Sequence, residues 1–169
     1  KFHEDHGGVI PEMAARQHLE ILDTLAKSIK KINFSKISAI AATFGPGLIG
    51  GLIVGSSFAK GLSISKNIRL IPINHLQAHL LSPRLVSEIK FPYLCLLVSG
   101  GNTALVLVKN SKSFITLGST IDDSAGECFD KVAKGLGLRY PGGPEIERLA
   151  IGGNIERFKL PMPLTKKNN

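Results

Sequence analysis

From residue 11 to residue 87 short apolar runs alternate with longer amphipathic stretches, and that alternation confines the chain to layered α/β folds. Pro11 occupies a favoured first helical position, and Leu19, Leu22, Ala26 and Ile29 follow at three- and four-residue steps, so a helix is expected over 11–32. The β-compatible run 37–44 closes on Gly45-Pro46-Gly47 and leads into a Gly- and Ala-rich helix over 48–64. A second buried strand is expected over 68–73, passing directly into a helix over 75–87.

The rhythm changes after Pro83. Three short strands, 93–99, 103–109 and 114–118, are separated only by Gly100-Gly101-Asn102 and Asn110-Ser111-Lys112, a spacing that suits antiparallel hairpins. Ser124 and Glu127 then form a capping box for a helix ending near Leu136-Gly137, and a last helix is expected over 145–151. The break divides the chain into two incomplete α/β units, residues 1–88 and 89–169.

With 43% hydrophobic and 20% charged residues in 169, the chain can bury a core, which excludes intrinsic disorder. No apolar run approaches the ~18 residues of a membrane span, and the start resembles no signal peptide; a soluble, cytoplasmic protein is expected. Cys95 and Cys128 have neither metal nor redox spacing and read as reduced core residues. The net charge of +8 is spread over both halves: 11 basic and 6 acidic residues over 1–90, an excess of +5, and 10 and 7 over 91–169, an excess of +3. Charge so dispersed fits a solvated basic surface and an RNA-facing one equally.

Four local patterns carry chemistry. Gly45-Pro46-Gly47-Leu48-Ile49-Gly50 matches a dinucleotide-binding turn, but the next strand ends in Ile73-Asn74-His75 rather than in an acid. A tight turn with close helix packing through Gly51 and Gly55 is therefore preferred. His75 and His79 share one helix face at a spacing that lets two imidazoles hold one metal ion, or simply face solvent. A zincin would need Glu at the position of Leu76.

Leu97-Val98-Ser99-Gly100-Gly101 is either a plain hairpin entry or a turn whose bare backbone can approach a phosphate. On a helix opening near Asp123, the carboxylates of Asp123, Glu127 and Asp130 would crowd one face. Asp130, flanked by Phe129, Val132 and Ala133, suits a ligand hydroxyl or an ion pair with Lys134.

Taken in order, Gly7-Gly8-Val9-Ile10-Pro11-Glu12, Gly45-Pro46-Gly47-Leu48, Ala59-Lys60-Gly61-Leu62, Asn74-His75-Leu76-Gln77-Ala78-His79, Val98-Ser99-Gly100-Gly101-Asn102-Thr103, Asp122-Asp123-Ser124-Ala125-Gly126-Glu127, Phe129-Asp130-Lys131 and Tyr140-Pro141-Gly142-Gly143-Pro144 resemble the tRNA threonylcarbamoyladenosine transferases. These are the bacterial TsaD proteins, formerly called O-sialoglycoprotein endopeptidases. The resemblance spans almost the whole chain.

It implies an actin-like, sugar-kinase-like (ASKHA) fold of two α/β lobes, incomplete here. It implies a divalent metal, iron, on His75 and His79, and substrate contacts from Leu97, Val98, Ser99, Gly100, Gly101, Asp130 and Gly143. The implied reaction moves threonylcarbamoyl from threonylcarbamoyl-AMP to N6 of adenosine 37 in tRNAs reading ANN codons. The implied partners are tRNA and TsaB-like and TsaE-like subunits, with no membrane. The family also carries an acidic phosphate loop, an Asn substrate contact and an Asp third metal ligand that find no match between Lys1 and Asn169. The expectation is a fragment lacking both ends and inactive alone, with a non-catalytic scaffold as the alternative and a metalloendopeptidase as the weaker one.

Overall fold

A computed structural model describes residues 10–29 and 32–161. Gly7, Gly8 and Val9 of the first motif, the pairs Lys30-Lys31 and Lys166-Lys167, and the chain after Pro161 lie outside them.

The elements follow the alternation in the sequence. Helix α1 (Pro11–Ile29) precedes strand β1 (Ala39–Gly45), helix α2 (Ile49–Lys66), strand β2 (Arg69–Asn74) and helix α3 (His75–Leu81). Strands β3 (Tyr93–Val98), β4 (Thr103–Asn110) and β5 (Ser113–Ser119) come next, then helices α4 (Ala125–Gly135) and α5 (Gly142–Ala150). β1 and β2 pair in parallel, in register from Ala39 with Arg69 to Thr43 with Ile73, joined by the α2 crossover that parallel pairing requires. β3, β4 and β5 form an antiparallel meander in that order. The architecture is therefore α/β, with one parallel and one antiparallel sheet.

Glycine sets the packing of α1 on α2. A Cβ on Gly50 would stand 2.9 Å from Ala15 Cβ, and one on Gly51 3.6 Å from His18 Nδ1. Gly45 and Gly47, at φ of +149° and +155°, hold the turn before α2 in a backbone region that side chains disfavour. Gly51 packs as expected, whereas Gly55 faces open space.

Helix α3 stops at Leu81, and a 3₁₀ turn over Ser82–Leu85 replaces the rest of the expected helix. Pro83 has no N–H for the helical ladder, and the Ser82 hydroxyl donates to His79 O at 2.8 Å. The buried core lies between α3 and one face of the meander: Leu80, Leu97, Val106 and Val108, with Cys95 and Phe114 against them. Tyr93 closes it, its hydroxyl donating to Leu80 O at 2.7 Å. Packing thus crosses residue 88, because α3 precedes the boundary and its principal apolar partners follow it.

The opposite face of the meander carries Leu94, Leu96, Val98, Leu105, Ile115 and Leu117, all exposed. Cys95 is half-buried, but Cys128 is exposed on α4, so the core reading of Cys128 is corrected: it lies on the solvent side of a helix whose inner side holds Ala133.

Candidate functional site

His75 and His79 lie one turn apart on α3, whose N-cap is Asn74, with Oδ1 accepting the Gln77 N–H at 3.1 Å. Their Nε2 atoms stand 3.1 Å apart, with the rings edge to face at 76°. Two nitrogens each about 2.1 Å from one ion are about 3.0 Å apart at a right angle and about 3.4 Å apart at the tetrahedral angle. The observed separation, a hydrogen-bond contact between the two rings, falls between these, so in distance the pair also matches two adjacent ligand positions of a single cation. Among the described residues no third His, Cys, Asp or Glu joins them.

The β3–β4 turn is closed by Ser99. Its N–H and hydroxyl donate to Asn102 O at 2.8 Å and 3.2 Å, and its Oγ accepts the Asn102 N–H at 3.0 Å. The serine hydroxyl expected to meet a ligand is largely engaged in shaping the turn. The N–H groups of Gly100 and Gly101 donate to no protein group among the described residues and sit at exposed positions. They are the free donors of this turn.

Among the described residues Asp130 makes no ion pair with Lys134. Its Oδ1 accepts the N–H of Gly142 at 2.7 Å, which starts α5 three residues earlier than the sequence suggests. A carboxylate there suits the electropositive helix start, and Pro144 is tolerated within the first turn. Gly142 allows the contact, since a Cβ there would lie 2.5 Å from Ala133 Cβ and 2.7 Å from Phe129 O. Gly143, next along, is open to space, and its N–H has no protein acceptor among the described residues.

Two of the three carboxylates expected on one face converge, although α4 opens at Ala125 and Asp123 precedes it, while Asp130 turns to Gly142. Lys131 Nζ bridges Asp123 at 2.6 Å and Glu127 at 3.1 Å, and these hydrogen bonds raise the lysine pKa above its ordinary value.

The structure gathers the glycine turn, Asp130 and the start of α5 along α4. Gly126 touches the turn, and Asp130, one helical turn later, holds Gly142. Leu97 is buried in the core and Val98 is exposed on the outer face of the meander, so each frames the turn through the backbone. The histidines stand on another surface: His75 borders a shallow hollow with Thr43, Gly47 and Leu52. A cavity of about 470 Å³ runs from Asn74 at the end of β2 and Gln77 on α3 to Gly101, Asn102 and Thr103.

Thr103, Gly126 and Gly142 stand in the motifs quoted from the sequence, which assigned them no role of their own. Glycine within the first turn of an amphipathic helix, where it is a poor helix former, is the signal that could have marked Gly126 as a point of close approach.

A family model described as tRNA N6-adenosine threonylcarbamoyltransferase matches residues 1–169. A protein of that description from Wolbachia sp. subsp. Brugia malayi (strain TRS) is 54% identical over 168 residues, covering 98% of this chain and 50% of its own. One from Methylorubrum extorquens strain PA1 is 53% identical, covering 96% and 48%, and one from Nitrobacter hamburgensis 49% identical, covering 96% and 46%. The chain spans about half the length of these curated relatives. It belongs to the tRNA N6-adenosine threonylcarbamoyltransferase family.

Proposed function

We propose that the chain takes part in moving the threonylcarbamoyl group from threonylcarbamoyl-AMP to N6 of adenosine 37 in tRNAs reading ANN codons. The observation that carries this reading is the alignment along α4 of three uncommitted N–H donors, at Gly100, Gly101 and Gly143, with the Asp130 carboxylate. Donors of this kind suit the phosphate and acyl oxygens of a mixed anhydride. The second carboxylate oxygen of Asp130 is left to accept from a substrate hydroxyl.

In the reaction the N6 amine forms a bond to the carbamoyl carbon, the bond from that carbon to the phosphate oxygen breaks, AMP leaves with the electron pair, and an N6 proton is released. Adenine N6 is a weak nucleophile, so fixed orientation of the two substrates contributes most of the acceleration. His75 and His79 would hold a divalent metal, which we take to be iron; when bound it supplies Lewis-acid polarisation of an acyl or phosphoryl oxygen.

The two sheets are read as parts of the two lobes of an actin-like, sugar-kinase-like fold. TsaB-like and TsaE-like subunits are the proposed protein partners, and the cytoplasm is the proposed location. Among the described residues no helix is long and apolar enough to cross a membrane. The dispersed net charge of +8 supports tRNA as the polyanionic partner.

Equilibrium binding of threonylcarbamoyl-AMP and of unmodified tRNA to the purified chain tests the reading, with transfer of labelled threonylcarbamoyl as the second readout. Adenylate binding that weakens in Asp130→Ala supports it. A chain that binds neither substrate sinks it, and partner subunits bound without either substrate would put a scaffold in its place.

A further inference from the structure

We propose that Ser124 and Gly126 are positioning residues that aim the Gly100 and Gly101 N–H groups at the ligand. The identity of that ligand rests on the function proposed above.

Two carbonyls of the turn point inward. Ser99 O accepts the Gly126 N–H at 3.2 Å, and Gly100 O accepts the Ser124 hydroxyl at 2.6 Å, across 24 residues of sequence. Both peptide bonds, Ser99-Gly100 and Gly100-Gly101, are trans. In a trans peptide the C=O and the following N–H point in opposite directions. Anchoring the carbonyls of Ser99 and Gly100 on α4 therefore turns the N–H groups of Gly100 and Gly101 away from it. Without those anchors a Gly-Gly segment samples many orientations, and ligand binding would bear the entropy of fixing it.

Ser124 is 2% exposed, and its hydroxyl donates to Gly100 O while accepting the Glu127 N–H at 3.3 Å. A Cβ on Gly126 would come within 2.6 Å of Ser99 O, 2.8 Å of Gly100 Cα and 2.9 Å of Gly100 N, so any side chain there pushes the turn off the helix. Thr103 adds a third tie, its Oγ1 accepting the Ala125 N–H at 2.8 Å. The N–H groups of Ala125, Gly126 and Glu127 are thus all consumed by protein acceptors. The start of α4 holds the turn, and the turn holds the ligand.

The test compares Ser124→Ala, Ser124→Thr, Gly126→Ala and Gly135→Ala in the same chain, reading threonylcarbamoyl-AMP affinity together with the backbone amide resonances of Gly100 and Gly101 in the free protein. Gly135 lies on the same helix with nothing within 4 Å of an added Cβ, so Gly135→Ala is expected to change neither readout. Ser124→Ala and Gly126→Ala are expected to shift both glycine amides and to weaken binding about tenfold or more, with Ser124→Thr restoring much of it through its retained hydroxyl. If Gly126→Ala fails to fold, the Ser124 pair decides. Folded variants that bind within twofold of the parent, or that lose binding with both amides unmoved, overturn the inference. A parent chain that binds no adenylate overturns the functional reading, whereas the amide shifts still report whether α4 orients the turn.

Discussion

Asp130 Oδ1 accepts the Gly142 N–H at 2.7 Å, so the carboxylate that the family resemblance assigns to substrate also caps the next helix. Asp130→Ala removes that cap and is expected to lower stability by about 1–2 kcal/mol, while Asp130→Asn, which keeps an acceptor oxygen, retains most of it. Urea unfolding of the two variants checks this. Equal losses would mean that the hydrogen bond is not what α5 requires.

Neighbouring glycines should respond in opposite ways. Gly142→Ala places a methyl group 2.5 Å from Ala133 Cβ and should cost about 2–3 kcal/mol, the α4–α5 contact having no room to yield. Gly143→Ala meets open space and gains helix propensity, so it should be neutral or up to about 1 kcal/mol more stable. Thermal denaturation separates the two, and a Gly143→Ala loss as large as that of Gly142→Ala would contradict the packing described.

A metal held by both imidazoles makes the two histidines equivalent. Fe²⁺ under anaerobic conditions, or Zn²⁺, should raise the Tm of the parent chain, a chelator should reverse the rise, and His75→Ala or His79→Ala should each abolish it. Isothermal titration should show each variant's affinity reduced by more than the ~10–100-fold that loss of an outer-shell partner costs. A single-histidine variant that still responds like the parent would show that the 3.1 Å pair does not chelate.

Tyr93 makes stability depend on alkaline pH. Burial, with a smaller push from Cys95, raises its phenol above the ordinary 10.0, outweighing the pull of Arg84 in the other direction. The unfolded chain ionises first, so this contribution is complete below pH ~10 and is lost as pH rises through the folded value. Phenolate absorbance should show one tyrosine titrating late. Tyr93→Phe should remove that dependence and, by losing the bond to Leu80 O, cost about 1 kcal/mol.

Much of the fold was legible in the sequence, because helices and strands repeat at fixed short periods. The strands and helix of β1–α2–β2, the strands of the meander, the Ser124 cap and the placing of His75 and His79 on one helix face are all signalled by residues at most a few positions apart. The ends of elements were less legible where a distant residue sets them. Pro83 cuts α3 short by local chemistry, but α5 begins at Gly142 because Asp130 reaches it from another helix.

The sequence by itself determined the layer type, the pair of imidazoles one turn apart and the family to which the chain belongs. Tertiary structure alone decided what each polar group of the site faces. Lys131 resolves the carboxylates, Asp130 turns to Gly142, Cys128 faces solvent, and Ser124 and Gly126 grip the Ser99-Gly100-Gly101 turn. Periodicity fixes which side of its own helix a residue occupies. Which partner lies on that side depends on how separate elements pack, and a close approach such as that of Gly126 to Gly100 becomes visible only when both backbones are in place.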